Sequence, residues 1–230
     1  MTLALIPARA GSKSIKNKNL VNLNGFPLIH YTIESAKKSN YINEIVVSSD
    51  GDSILAYALN QGIKALRRPK ELAMDSTQSH EVILHAITHY KEFKYIVLLQ
   101  PTSPLRDSID IDNAFRIFLE KKANALISVS KIDNKILKAF ITDENGYLKG
   151  ICNDIYPFIP RQSLPETYQS NGAIYIIKRD LFLQNPNFLP SKTHYYIMSL
   201  ENSIDIDTKN DLEQASNILQ QRHCNKNKLL

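Results

Sequence analysis

A chain of 230 residues with 43% hydrophobic content can bury one large core, with room for a small appendage. Its net charge of +5 owes three charges to Arg222, Lys226 and Lys228, and nowhere do basic residues interleave with aromatics in a stripe, which excludes a nucleic-acid binder. No apolar run exceeds strand length and no charged-then-apolar leader opens the chain, so neither a membrane span nor a secretory signal is expected; Cys152 and Cys224 lack metal-type spacing and read as free thiols of a cytoplasmic protein.

The first predicted element is a strand over 3–7, stopped by Pro7 and followed by Arg9, Gly11, Ser12, Lys13, Lys16, Lys18 and Asn19. Backbone N–H groups near Gly11 and Ser12 can face an anion while Arg9, Lys13 and Lys18 neutralise a polyphosphate; a solvated surface loop is the alternative. Two familiar phosphate loops do not fit. The P-loop needs a second glycine before its lysine, and the dinucleotide fingerprint needs three glycines, whereas Gly11 is alone until Gly25. Binding by side-chain charge favours a triphosphate over a dinucleotide.

Pro27 opens a helix over 27–39, with Ile29, Ile33 and Ala36 on one face. A strand over 44–48 with Asp50 at its carboxyl end, a helix over 52–60 and a strand over 63–66 follow. This alternation predicts an α/β fold: a mostly parallel sheet with helices on both faces, with ligands beyond the carboxyl ends of the strands, where Arg9 and Asp50 fall. Residues 67–79 read as a loop over that edge, with Arg68, Asp75 and Ser79 as polar candidates. In the helix over 78–92, His85 and His89 stand four apart. No Glu follows the first His and no third ligand is evident, so a structural role is preferred to zinc.

A central apolar strand over 95–99 ends in QPTSPLR, 100–106. Its two prolines make a rigid turn on which Gln100 can hold a ligand, or which merely ends the strand. Asp107 or Ser108 caps the next helix, and 125–130 is a strand. From 131 to 170 the alternation fails in a polar segment carrying Lys138 and Arg161, of a length that suits a lid or an oligomer contact. Strands over 172–178 and 194–199 flank a helix near 179–185, a helix over 208–222 closes the domain, and 223–230 reads as a flexible tail.

The string SIDID occurs at 108–112 and again at 203–207. Aspartates at i and i+2 share a face only in extended chain. At 108–112 they open a helix, where Asp110 and Asp112 favour the positive end of its dipole and serve structure. At 203–207 they follow a strand, so Asp205 and Asp207 can face one side and hold magnesium against phosphate oxygens; an exposed strand end with a helix cap is the alternative.

In this order and at these spacings, IPARAGSKSIKNKN, RRPKELAMDS, LLQPTSPLR, SNGAIYI and SIDIDTKNDL resemble the acylneuraminate cytidylyltransferases (CMP-sialic acid synthetases), over residues 1 to about 220. The resemblance implies a three-layer Rossmann-like nucleotidyltransferase fold over 1–222, with 131–170 as a dimerisation or lid insertion. It implies transfer of CMP from CTP to the anomeric hydroxyl of a nonulosonic sugar acid. By the same resemblance, Arg9, Ser12, Lys13, Lys18, Asn19, Arg68 and Ser79 bind nucleotide. Gln100, Lys138, Arg161 and Tyr175 contact the sugar, with Asn171 beside them. Asp205 and Asp207 hold Mg2+, with Mn2+ as a substitute, and Arg9, Lys18 and Asp207 are catalytic. A homodimer is implied, the neighbour helping to complete the sugar site. Enzymes acting on legionaminic, pseudaminic or 3-deoxy-octulosonic acid share the pattern. Ser14 departs from it, standing where many members have glycine. Rival readings are a nicotinamide-dependent oxidoreductase, disfavoured by the missing glycine fingerprint, and a non-catalytic nucleotide-binding protein, disfavoured by the retained cations and aspartates.

Overall fold

The alternation of apolar stretches becomes a seven-stranded sheet in the computed structural model of the chain, which describes residues 1–227. In chain order the elements are β1 (Thr2–Pro7), the short hairpin β2 (Asn22–Leu23) and β3 (Phe26–Pro27), α1 (Leu28–Lys37), β4 (Glu44–Ser49), α2 (Asp52–Asn60), β5 (Lys64–Arg67), α3 (Ser79–His89), β6 (Tyr95–Leu98), α4 (Ser108–Glu120) and β7 (Ala125–Ile132). A second hairpin, β8 (Phe140–Thr142) and β9 (Leu148–Gly150), precedes β10 (Thr167–Lys178), α5 (Arg179–Gln184), β11 (Thr193–Ile197) and α6 (Lys209–Asn227).

The sheet order is β11-β7-β10-β6-β1-β4-β5. Every pairing is parallel except those of β10, which runs antiparallel to both β6 and β7. Strand β1 shows why the chain folds into layers. Its side chains alternate, Ala4 and Ile6 packing toward α1, α2 and α4, and Leu3 and Leu5 toward α3 and α5. All four are fully buried. A third cluster, with Ile15, Leu23, Leu105 and Ile206, seats α6 through Ala215 and its neighbours Leu212 and Ile218. No helix among the described residues is long and apolar enough to cross a membrane.

The first SIDID string serves structure, as its position at a helix start predicts. Asp107 caps α4 by accepting from Asp110 N at 2.9 Å. Asp110 also accepts from Tyr196 Oη and Asn202 Nδ2 at 2.9 and 2.8 Å, and Asp112 accepts from Ser39 Oγ at 2.5 Å.

Beyond shifts of one to three residues at other element ends, two segments differ from those expected. The irregular segment shrinks to 133–166, because β7 extends to Ile132 and β10 begins at Thr167, which pairs with Ile132. The extended β10 is hidden in the sequence because its register shifts between Ser170 and Tyr175, around Gly172 with φ of +74°. The closing helix, expected to end at 222, continues to Asn227, so residues 223–227 of the expected tail are helical. Neither proline nor glycine occurs from 208 to 227 to stop it. The last three residues of that tail, 228–230, lie outside the described residues.

Candidate active site

Beyond the carboxyl ends of β1, β4 and β6 lies a cleft of about 430 Å³. Its wall includes Arg9, Ser12, Lys13, Lys18 and Asn19 from the loop after β1, Arg68 from the segment between β5 and α3, and Ser79 at the start of α3. Gln100 and Thr102 come from the rigid turn after β6, and Asp207 from the segment before α6. All seven residues expected to bind nucleotide therefore meet in one place.

The loop after β1 is fixed from several sides. Asp50 accepts from Ala10 N at 2.8 Å, and Asn19 Nδ2 donates to Arg9 O at 2.8 Å. Gly51 lets that turn approach closely, since a Cβ there would lie 2.8 Å from Ala10 Cβ. The one left-handed residue of the loop is Asn17, with φ of 55°. Ser14 does not adopt that conformation, so the departure from glycine costs no backbone strain.

Four cations face the cleft in different states. Arg9 Nη1 and Lys13 Nζ each stand 2.5 Å from an Asp75 oxygen. Lys18, whose side chain is only 12% exposed, donates to Ile206 O at 2.8 Å and Asp207 Oδ1 at 2.9 Å. Arg68 is 5% exposed. Its Nη2 donates to Ser48 O at 3.3 Å, while its buried Nε has no partner. Burial first, and Arg9 in the same direction, lower the Arg68 pKa, against the pull of Asp50. A buried guanidinium with an unmade hydrogen bond at the floor of a cleft is a seat for an acceptor.

The second SIDID string is extended between β11 and α6. Ile206 is fully buried, with its N–H on Thr102 O at 2.8 Å, while Asp205 and Asp207 turn outward. Asp207 reaches the cleft; Asp205 does not line it. Desolvation raises the Asp205 pKa and repulsion by Asp207 adds to this, against the pull of Thr102 and Lys18. Among the described residues no cation forms an ion pair with Asp205. The carboxylates of Asp205, which has no ion pair among the described residues, and of Asp207, which shares Lys18, are hard oxygens of the kind that a divalent cation such as magnesium takes.

The expected sugar contacts are dispersed. Gln100 sits in the cleft, its Oε1 3.5 Å from where a Cβ on Gly172 would stand. Asn171 is buried, accepting from Ser128 Oγ at 2.6 Å and donating to Ser203 Oγ at 2.9 Å. Tyr175 pairs its hydroxyl with Ser170 Oγ at 2.9 Å and sets its ring on Phe188. Lys138 Nζ donates to Ile159 O at 2.5 Å within the 133–166 segment. Arg161 stands 3.2 Å from Asp133, in a separate hollow with Lys131 and Glu166. Asn171, Tyr175, Lys138 and Arg161 do not line the cleft beyond β1 and β6.

One structural residue of the site escapes sequence reading. Arg106 is 1% exposed, yet forms no ion pair among the described residues. Its Nη1 donates to Gln100 O at 3.3 Å and Ala173 O at 3.0 Å, and its Nη2 to Ser35 Oγ at 3.1 Å. Burial lowers its pKa to about 10, with Asp110 and Asp107 opposing. Its only sequence signal is a lone cation closing a proline-framed turn after a core strand.

A family model described as Cytidylyltransferase matches residues 3–230. The chain is 36% identical over 225 residues to an N-acylneuraminate cytidylyltransferase of Escherichia coli O18:K1:H7, covering 97% of this chain but 53% of that relative, about half its length. It is 33% identical to a CMP-N,N'-diacetyllegionaminic acid synthase of Legionella pneumophila, covering 91% of this chain and 92% of that one. A solved CMP:2-keto-3-deoxy-manno-octonic acid synthetase, complexed with CTP, superposes with a TM-score of 0.73 at 18% identity, over 96% of this chain and 99% of that one. That last likeness speaks for the fold, the three-layer Rossmann-like nucleotidyltransferase architecture.

Proposed function

The chain belongs to the cytidylyltransferase family, and we propose that it transfers CMP from CTP to the anomeric hydroxyl of a nine-carbon 2-keto sugar acid. The observation that carries this reading is the cleft itself: Arg9, Lys13, Lys18 and Arg68 converge on one volume beside Asp207. Such a site suits a polyphosphate whose leaving group gathers negative charge.

In the proposed reaction the sugar hydroxyl oxygen forms a bond to the α-phosphorus, and the bond from that phosphorus to the bridging oxygen breaks. Pyrophosphate leaves with the electron pair, and the hydroxyl proton passes to solvent. Arg9 and Lys18 stabilise the charge on the departing pyrophosphate. The unpartnered Arg68 Nε donates to the nucleotide, and Ser12, Asn19 and Ser79 line its seat. Asp205 and Asp207 would hold the divalent cation, which neutralises phosphate charge and favours ionisation of the attacking hydroxyl. Lys18 keeps Asp207 directed into the cleft.

We assign the sugar carboxylate to Arg161, whose planar fork matches that group. Because Lys138 and Arg161 lie outside the nucleotide cleft, the reading includes a homodimer in which the 133–166 segment of a second copy completes the sugar site. Phe140, Ile141, Leu148, Ile155 and Phe158 of that segment are exposed, an apolar patch suited to such a contact. The exposed free thiols Cys152 and Cys224 suit a cytoplasmic location.

The acid itself is the open part of the reading. The Legionella relative favours a diacetamido nonulosonic acid as the alternative to N-acetylneuraminic acid, with pseudaminic acid and the eight-carbon 3-deoxy-octulosonic acid as further candidates. Pyrophosphate release with CTP and magnesium, compared across these four acids, tests it. Release with one acid names the substrate; silence with all of them, from folded protein that binds CTP, sinks the transferase reading.

A further inference from the structure

Asp75 makes a contact unlike any other in the cleft. Each of its oxygens meets a different cation of the phosphate loop, Oδ1 with Arg9 Nη1 and Oδ2 with Lys13 Nζ, both at 2.5 Å. A group that presents two oxygens to two cations is what a phosphate of a bound polyphosphate would be. Lys13 is otherwise unsupported, since its side chain is 85% exposed and forms no other ion pair among the described residues. The two cations hold the Asp75 carboxyl below the usual carboxylate range, Lys13 first and Arg9 next.

The segment that carries Asp75 is weakly tied elsewhere. Residues 70–73 form a single turn of 3-10 helix with no buried side chain, and Met74 is exposed. Thr77 donates from its hydroxyl to Glu71 O and from its N–H to Met74 O, and Leu72 N donates to Pro69 O. Among the described residues, these bonds stay within 69–77; the two ion pairs of Asp75 reach beyond it.

We propose that Asp75 is a stand-in for phosphate: it holds Arg9 and Lys13 together in the free protein and is exchanged for polyphosphate oxygens when nucleotide enters. The inference rests on the cleft being a polyphosphate site. The exchange replaces one carboxylate charge by the several of a polyphosphate, so the ligand wins at working concentration, and the same carboxylate competes again for the cations as product departs. Affinity is thereby lowered and release helped, and binding frees residues 69–77 from the phosphate loop.

The test compares the wild type with Asp75→Asn, which keeps the size but not the charge and leaves one acceptor oxygen for the two cations. Affinities for inorganic tripolyphosphate and for CTP are measured by calorimetry in EDTA, so that no metal contributes. Loss of two exposed ion pairs should tighten both ligands about three- to tenfold in the variant. Trypsin cleavage after Lys70 should be slow in the free wild type, faster with tripolyphosphate, and already fast in the free variant. Equal or weaker binding by the variant, with the wild type binding CTP, overturns the stand-in alone. If neither protein binds either ligand, in EDTA or with magnesium, the polyphosphate reading of the cleft falls with it.

Discussion

The two halves of the site are built in different ways. The proposed nucleotide half draws on four stretches of sequence and closes within one chain: Lys18 and Asp207, 189 residues apart, meet at 2.9 Å. The proposed sugar half is strung along β10 and the 133–166 segment, with Asn171 and Tyr175 bonded to their own neighbours and Lys138 and Arg161 outside the cleft. A sheet fixes whatever lies at the carboxyl ends of adjacent strands, because the register of β1, β4 and β6 leaves their loops no freedom to separate. A segment that leaves the sheet gains no such placement.

The sharpest way to break the nucleotide half is Asp207→Ala. Its side chain is 72% exposed, so the melting temperature should hardly move, while kcat/KM for CMP transfer should fall by about 10³-fold or more. A folded variant with near-normal turnover would remove Asp207 from the chemistry. Next in size is Arg161→Ala, expected to lower kcat/KM for the sugar acid about 10²-fold and leave CTP affinity unchanged. Mixing it with Asp207→Ala under conditions of subunit exchange should restore part of the activity. No recovery would mean that each chain builds its own sugar site.

Arg106 joins the halves, donating to Gln100 O on one side and Ala173 O on the other. Replacing it by Met leaves Ala173 O and Ser35 Oγ short of a donor, while Gln100 O keeps Thr32 Oγ1 at 3.3 Å, at a cost of about 2–4 kcal/mol readable from urea unfolding. A loss below about 1 kcal/mol would show that the junction is held by packing instead.

The smallest effect belongs to the exposed pair Lys131–Glu166 beside Arg161. Lys131 first, and Tyr168 with it, hold the Glu166 pKa below the usual range. The folded protein therefore binds that proton less readily than the unfolded chain. The pair's support is present above the ordinary glutamate range and is lost as pH falls through the lowered value. Glu166→Gln should shift the neutral-pH melting curve by no more than its error and flatten its acid side.

The same contrast runs through what the sequence discloses. Helices and strands are legible because their apolar spacing is a local record of burial, as in β1 and α4. The phosphate loop is legible because four cations crowd into ten residues. Strand direction leaves no such record, and the reversal of β10 is invisible in GAIYIIK. Arg106 reads as a surface charge until its carbonyl partners, 6 and 67 residues away, are known. Asp75 is recognisable as polar but not as a bridge, since its partners lie on another loop.

The reversed strand also bears on how the polypeptide is made. A ribosome delivers β6 and β7 long before β10, the piece that must slot between them. Until residue 178 has emerged, β6 is the open edge of a sheet with β1, and β7 lacks β10 on one side and β11, at 193–197, on the other. Closing the sheet is thus a late, long-range event, of the kind that slows folding and leaves time for chaperones to act.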